Sequence, residues 1–299
     1  MDTMQRERTV QLVDPRTAYP KAEGGQPAAG TGREGAMEPR PNHGEDSYVG
    51  AGRLANLVSV VTGADSGIGK AVALAYAREG ADVVVAYLEE GEEAADTTRL
   101  VEAEGRRSIS IAGDLSKEED CRTLIERTVA ELGRIDILVN NHAYQKNFQS
   151  FDEIDAEEFE YTLRVNLISM FNLCKAAVPH MQPGASIINV ASVQAYNPSP
   201  SLLPYATTKG GIVTFTKALA GMLAEQGIRA NVVAPGPVWT PLIAQTMPPE
   251  KVESFGQDTP LGRPAMPAEL APVFVLLASP EASYITGTVY VVAGGTPLP

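Results

Sequence analysis

Tyr205 and Lys209 stand four residues apart at the start of a helix-like run, and Ser192 precedes the tyrosine by thirteen. Side chains four apart on a helix share a face, so the amine can approach the phenol. A free tyrosine, with a pKa of about 10, is a poor acid or base near neutral pH. A neighbouring ammonium stabilises the phenolate and lowers that value. A serine hydroxyl aimed at the same point can hold a carbonyl or alcohol oxygen in register. Together the three residues suit proton exchange with an oxygen whose carbon gains or loses a hydride. Taken singly each has a plainer role: the tyrosine in the core, the lysine solvated, the serine a strand-end cap.

Hydride transfer needs a carrier, and T-G-A-D-S-G-I-G at 62–69 offers a place for one. The run follows a Val-rich strand and opens a helix. Gly63 permits the tight turn, Gly67 lets backbone approach a pyrophosphate, and Gly69 lets the helix pack on the strand. Asp65, Ser66 and Ile68 complete the loop, and the helix N-terminus supplies N–H groups and partial positive charge. A glycine triplet alone matches many ordinary turns; the strand–turn–helix context gives it weight.

The next strand ends in Tyr87, Leu88, Glu89 and Glu90. Neither Leu88 nor Ser66 is the basic residue that a 2′-phosphate requires, and the glutamates would repel one. Tyr87 stands where an acidic side chain usually grips the ribose hydroxyls. NAD is favoured over NADP, which stays possible, and Lys70 is the cation best placed to reverse that preference.

Strand-like runs fall at 57–61, 82–87, 108–111, 135–139, 186–191, 228–233 and 287–292. Helical stretches lie between them, near 67–79, 91–105, 117–132, 155–181, 205–226 and 267–278. Continuous Val/Ile runs suit strands covered on both faces, and helix-length crossovers imply parallel neighbours. The prediction is an α/β chain: a Rossmann-like, doubly wound, seven-stranded parallel sheet forming one domain over 54–299. Its site would lie at the carboxyl ends of the strands.

Residues 1–53 differ from this body. The first fifty hold seven Gly and five Pro and show no apolar period. Such a segment buries too little to offset its ordering entropy. We expect an arm that is partly disordered and docks near residue 50 through Tyr48.

Of the 299 residues, 44% are hydrophobic and 20% charged, enough for one sizeable core. The net charge of −13 argues against a nucleic-acid partner and against an anionic membrane surface. Cys121 and Cys174 form no C-x-x-C pair, and His43, His142 and His180 are scattered, so no metal site is expected. The start, M-D-T-M-Q-R-E-R, leads into no apolar run, and a cytoplasmic location is expected.

Seven ordered motifs carry a resemblance over 54–299: T-G-A-D-S-G-I-G at 62–69, G-D-L at 113–115, N-N-H-A at 140–143, V-N-L at 165–167, Ser192, Y-A-T-T-K at 205–209 and P-G-P-V-W-T at 235–240. The chain resembles the short-chain dehydrogenase/reductase family; its long N-terminal arm, with Q-A-Y-N-P-S-P at 194–200 and A-P-G-P-V-W-T-P at 234–241, resembles in particular bacterial general-stress and glucose/ribitol dehydrogenase-like oxidoreductases. That resemblance implies a catalytic set of Asn166, Ser192, Tyr205 and Lys209, with Asn166 holding a water that links the lysine to solvent. It places Asp114 and Leu115 at the adenine, Asn140 beside the cofactor, and Pro235, Gly236, Val238 and Thr240 around the nicotinamide. It also implies a homotetramer. The family pattern at 140–143 is N-N-A-G; His142 and Ala143 depart from it, with His142 a pocket wall or a partly exposed loop residue.

A small alcohol or carbonyl substrate follows, with selectivity expected from Tyr144, Gln145, Gln194 to Tyr196, and the 239–257 stretch (Trp239, Leu242, Ile243, Phe255). Two other readings stay open: an NADPH-dependent carbonyl or 3-oxoacyl reductase, and a dinucleotide-binding regulatory or scaffold protein without turnover.

Overall fold

Seven Val/Ile-rich segments pair side by side, every pair parallel. They are β1 (Val58–Thr62), β2 (Asp82–Tyr87), β3 (Ser108–Ala112), β4 (Ile137–Asn140), β5 (Ser186–Val190), β6 (Arg229–Pro235) and β7 (Val289–Val292). Their spatial order is β3-β2-β1-β4-β5-β6-β7. The computed structural model describes residues 13–21 and 34–296.

Side chains alternate across each strand, so the sheet builds a core on each face. Val58 and Val60 of β1 and Val232 of β6 join one cluster with Leu124, Met170, Leu173 and Ile212. Val61 and Val233, one residue on, join the other with Val72, Tyr76, Phe274 and Leu277. The first face is covered by α3 (Glu118–Leu132), α5 (Ser169–Ala177) and α6 (Leu203–Leu223). On the second lie α1 (Gly67–Arg78), α2 (Gly91–Ala103) and α9 (Ala271–Ala278). Short helices α7 (Pro241–Thr246) and α8 (Pro249–Glu253) cross the carboxyl edge.

The single helix expected over 155–181 is interrupted. It forms α4 (Ala156–Leu163), a π-helical turn at Arg164–Ile168, and then α5. A widened turn shifts the register of everything beyond it, and Asn166 sits in that turn, buried.

Where it is described, the arm is docked. Tyr48 Oη donates to Glu79 at 2.5 Å, and Arg78 grips the carbonyls of Gly44, Glu45 and Tyr48 at 2.7–2.9 Å. Contact reaches well upstream of residue 50: Met37 packs with Trp239, Val252 and Met266, and Arg263 donates to the Pro15 carbonyl. Polar anchoring explains what the composition hid. The disorder expected near the terminus falls on residues 1–12 and 22–33, which lie outside those described.

Candidate active site

Strand order reverses between β1 and β4, and ligands in such sheets sit outside the carboxyl ends at that switch point. A cavity of about 510 Å³ opens there. Its lining takes in Gly63, Asp65, Ser66, Gly67 and Ile68 of the glycine loop, Tyr87 and Leu88 after β2, and Asp114 and Leu115 after β3. At the other end it takes in Ser192, Tyr205, Lys209, Pro235, Gly236, Val238 and Thr240.

The glycine loop fits a dinucleotide. Gly67 holds φ +51, and a Cβ there would meet Thr240 at 3.0 Å. Gly69 is not in the lining; a Cβ on it would stand 2.0 Å from the Gly63 carbonyl oxygen, so its part is to bring α1 against the turn. Tyr87 and Asp114 line the same continuous cavity as Tyr205 and Lys209.

Beside Tyr87 and Leu88, Glu90 and Glu93 also line the wall. Burial raises the Asp65 and Glu93 carboxyls above their usual range, and the charges of Glu34 and Glu90 add to it at both. Glu93, on the first turn of α2, was not singled out in the sequence; its place three residues past the glutamate pair is the signal that could have found it. Lys70 is buried and committed, with Nζ 2.9 Å from Asp96 and 3.3 Å from Glu34.

At the reactive end, Lys209 Nζ donates to the Val190 carbonyl at 2.8 Å and lies 5.2 Å from the centre of the Tyr205 ring. Ser192, two residues past β5, accepts from the Gln194 amide at 3.2 Å. Burial pushes the Tyr205 phenol up to about 12, partly offset by a hydrogen bond with Ser192, and pulls Lys209 down to about 7. Both shifts oppose the chemistry expected of the pair, because each group alone is costly to charge in this interior. Charging both together changes the balance: an ammonium and a phenolate stabilise one another, so each favours the charged form of its neighbour.

Asn166 is not in the lining. Its Oδ1 accepts from the Tyr144 amide at 2.7 Å, and its Nδ2 donates to the Tyr144 carbonyl at 2.9 Å and to Thr208 Oγ1 at 3.1 Å. The side chain is therefore a brace between the loop after β4 and the second turn of α6. Asn140 also lies outside the lining; its amide donates to Asn189 at 2.8 Å within the sheet, and Asn141 lines the cavity instead. Adjacent asparagines on a strand end point to opposite sides, and the sequence alone does not say which faces the cleft.

His142 lines the cavity, but its ring is held. Nε2 reaches the Val165 carbonyl at 3.1 Å and Ser169 Oγ at 2.8 Å, and Nδ1 meets Thr62 Oγ1 at 2.7 Å. The Val165 carbonyl only accepts, which puts the proton on Nε2 and leaves Nδ1 to accept from Thr62. Burial, with the Lys209 charge, lowers its pKa to about 4 and keeps the ring neutral. Neutral imidazole ties β1 to the π-helical turn that carries Asn166.

Beyond the reactive groups, Tyr144, Gln145, Gln194, Leu242, Ile243 and Phe255 complete the wall. Gln145 Nε2 donates to Thr246 Oγ1 at 2.9 Å and pins α7 across the opening. Trp239 does not line the cavity; it is fully buried and donates from Nε1 to the Pro39 carbonyl at 2.7 Å. Tyr196 lies outside the lining as well.

Among the described residues no cluster of three His, Cys, Asp or Glu could hold a metal, and no helix is long and apolar enough to cross a membrane.

Comparison with known proteins agrees with this arrangement. The family profile described as "Enoyl-(Acyl carrier protein) reductase" matches residues 63–297. General stress protein 39 of Bacillus subtilis is 47% identical over 88% of this chain and 92% of its own length. Glucose and ribitol dehydrogenase homolog 2 of Arabidopsis thaliana is 45% identical over 88% of this chain and 93% of its own. A short-chain dehydrogenase from Burkholderia cenocepacia, solved in complex with NADP, superposes with a TM-score of 0.76 at 29% identity, covering 81% of this chain and 98% of that one. With a parallel sheet of this order, a glycine loop at its switch point and Tyr205 and Lys209 buried against Ser192, the chain belongs to the short-chain dehydrogenase/reductase family of nicotinamide-dinucleotide oxidoreductases.

Proposed function

We propose that this protein is an NAD(H)-dependent oxidoreductase that interconverts a secondary alcohol and a ketone, or a primary alcohol and an aldehyde. The observation that carries the reading is the convergence of buried Ser192, Tyr205 and Lys209 on one end of a cavity whose other end is lined with carboxylates. When bound, the dinucleotide supplies or accepts the hydride. Ser192 Oγ orients the substrate oxygen. Tyr205 gives that oxygen a proton in reduction and takes one in oxidation. Lys209, with Nζ 5.2 Å from the centre of the Tyr205 ring, offsets the phenolate charge, and Asn166 keeps the Tyr144 loop and α6 in register.

NAD is the cofactor we favour. Glu90, Glu93 and Asp65 give the adenosine end a negative field that a 2′-phosphate would have to overcome. Lys70, the cation best placed to help, is already paired with Glu34 and Asp96. The NADP complex of the Burkholderia relative supports a second reading, an NADPH-dependent carbonyl reductase. Titrating the protein with NADH and with NADPH, followed by cofactor fluorescence, separates them. Tighter NADH binding is expected; tighter NADPH binding would establish the second reading.

A homotetramer belongs to the same proposal. Ile168 and Phe171, on the turn and helix leading from α4 into α5, are about half exposed, an apolar face that assembly would cover. Light scattering after gel filtration tests it, and a monomer at micromolar concentration would refute it.

A further inference from the structure

Glu34 belongs to the arm, yet its carboxylate is buried against the cofactor loop. Its Oε1 accepts from the Gly67 amide at 3.0 Å and from His43 Nε2 at 2.7 Å, and Oε2 lies 3.3 Å from Lys70 Nζ. Its own amide donates to Glu93 at 3.2 Å. Gly67 lines the cavity, and so do Ser66 and Ile68 on either side of it. The arm thus places an anion one peptide away from the cavity surface, on a loop that would otherwise present the bare positive end of α1 to an anionic ligand.

We propose that Glu34 is a specificity-determining residue for the dinucleotide: it fixes the glycine loop through Gly67 and supplies negative charge that disfavours a 2′-phosphate. This rests on the oxidoreductase reading above. His43 is shared with Glu45, and Lys70 with Asp96, which Arg99 also pairs at 2.9 Å, so these three carboxylates meet three cations. Negative charge beyond these pairs stands on Asp65, Glu90 and Glu93 in the cavity wall, and the carboxyls of Asp65 and Glu93 are both raised partly by the Glu34 charge. A fixed strap delivers the residue: Trp239 holds the Pro39 carbonyl and Arg78 holds those of Gly44, Glu45 and Tyr48.

Glu34→Gln in the full chain keeps an oxygen for the Gly67 amide and removes the charge. NADH and NADPH dissociation constants are measured by cofactor fluorescence for both proteins at one ionic strength. The NADH constant should move less than about twofold, while NADPH binding tightens three- to tenfold, the scale of one charge at partly screened range. A purely structural role would weaken both cofactors alike and leave their ratio unchanged, and that result overturns the inference. His43→Gln tests it in the opposite sense: loss of a counter-cation should widen the discrimination against NADPH, and an unchanged ratio again overturns it. A wild-type protein that binds NADPH as tightly as NADH, or binds neither, overturns the NAD reading and this inference together. A wild type preferring NADH, with variants that do not differ from it, overturns the inference alone.

Discussion

The Lys209 ammonium nitrogen lies 5.2 Å from the centre of the Tyr205 ring, and both side chains are almost wholly buried. Burial alone drives the two apart in acidity, to about 12 for the phenol and about 7 for the amine. The site therefore works only as a pair, with charge on one group making charge on the other affordable. Its pH dependence and its cost to the fold both follow from that coupling.

Alcohol oxidation requires Tyr205 to accept a proton, so its rate should rise with pH through the ionisation of the pair. Lys209→Met removes the cation that favours the phenolate and leaves burial unopposed. The rise should then move at least one pH unit upward, toward the value of about 12 that burial imposes. Profiles of kcat/KM against pH for the two proteins check this, and superimposable profiles would contradict it.

The same substitution should stabilise the fold. Lys209 titrates at about 7 when folded, against 10.5 as its ordinary value. Below pH 7 both states carry the proton, and the folded state bears the full penalty of a buried charge. Between 7 and 10.5 only the unfolded state holds it, so wild-type stability from this group climbs with pH. Lys209→Met should therefore gain on the order of a few kcal/mol at pH 6, with the advantage shrinking toward pH 10. Urea denaturation at several pH values measures it; a variant less stable at pH 6 would refute the account.

Gly69→Ala tests the cradle. Its new methyl would stand 2.0 Å from the Gly63 carbonyl oxygen, a backbone atom that can yield only if the turn shifts. We expect a loss of about 1–3 kcal/mol in stability together with at least tenfold weaker dinucleotide binding. Unaltered binding by cofactor fluorescence would show that the turn is not the cradle.

Trp239 is the chain's only tryptophan, fully buried and bonded to Pro39 of the arm. Deleting residues 1–45 should leave the sheet folded by far-ultraviolet circular dichroism. It should also shift the tryptophan emission to the red and cost about 2 kcal/mol or more, as Met37 leaves its contact with Trp239, Val252 and Met266. Unshifted emission would mean that the arm does not shield this residue.

Most of the fold was legible because its signals are local. Each of the seven Val/Ile runs became a strand, and the helical stretches between them became crossovers. The grouping of the candidate residues was legible because Tyr205 and Lys209 are one turn apart and Ser192 lies just past β5. What escaped depends on contacts distant in sequence. The π-helical turn at Arg164–Ile168 leaves no mark on the apolar pattern, so the chain over 155–181 reads as unbroken. Asn140 and Asn141 are equivalent until the strand end is placed. His142 becomes a tie only once Thr62 and Ser169 are brought to it. The arm was underestimated because its docking relies on Glu34, His43 and Arg78, polar residues that a count of apolar surface passes over.

Tyr205→Phe tests the central claim most directly, because it removes one oxygen and leaves the cavity's shape. Turnover with NAD and an alcohol panel, read as NADH absorbance, is measured beside NADH binding. A loss of about a thousandfold or more in turnover, with NADH binding within about twofold of wild type, is expected from removing a general acid–base group. Turnover close to that of wild type would contradict the assignment of Tyr205 as the proton-transferring residue, and with it this account of the site.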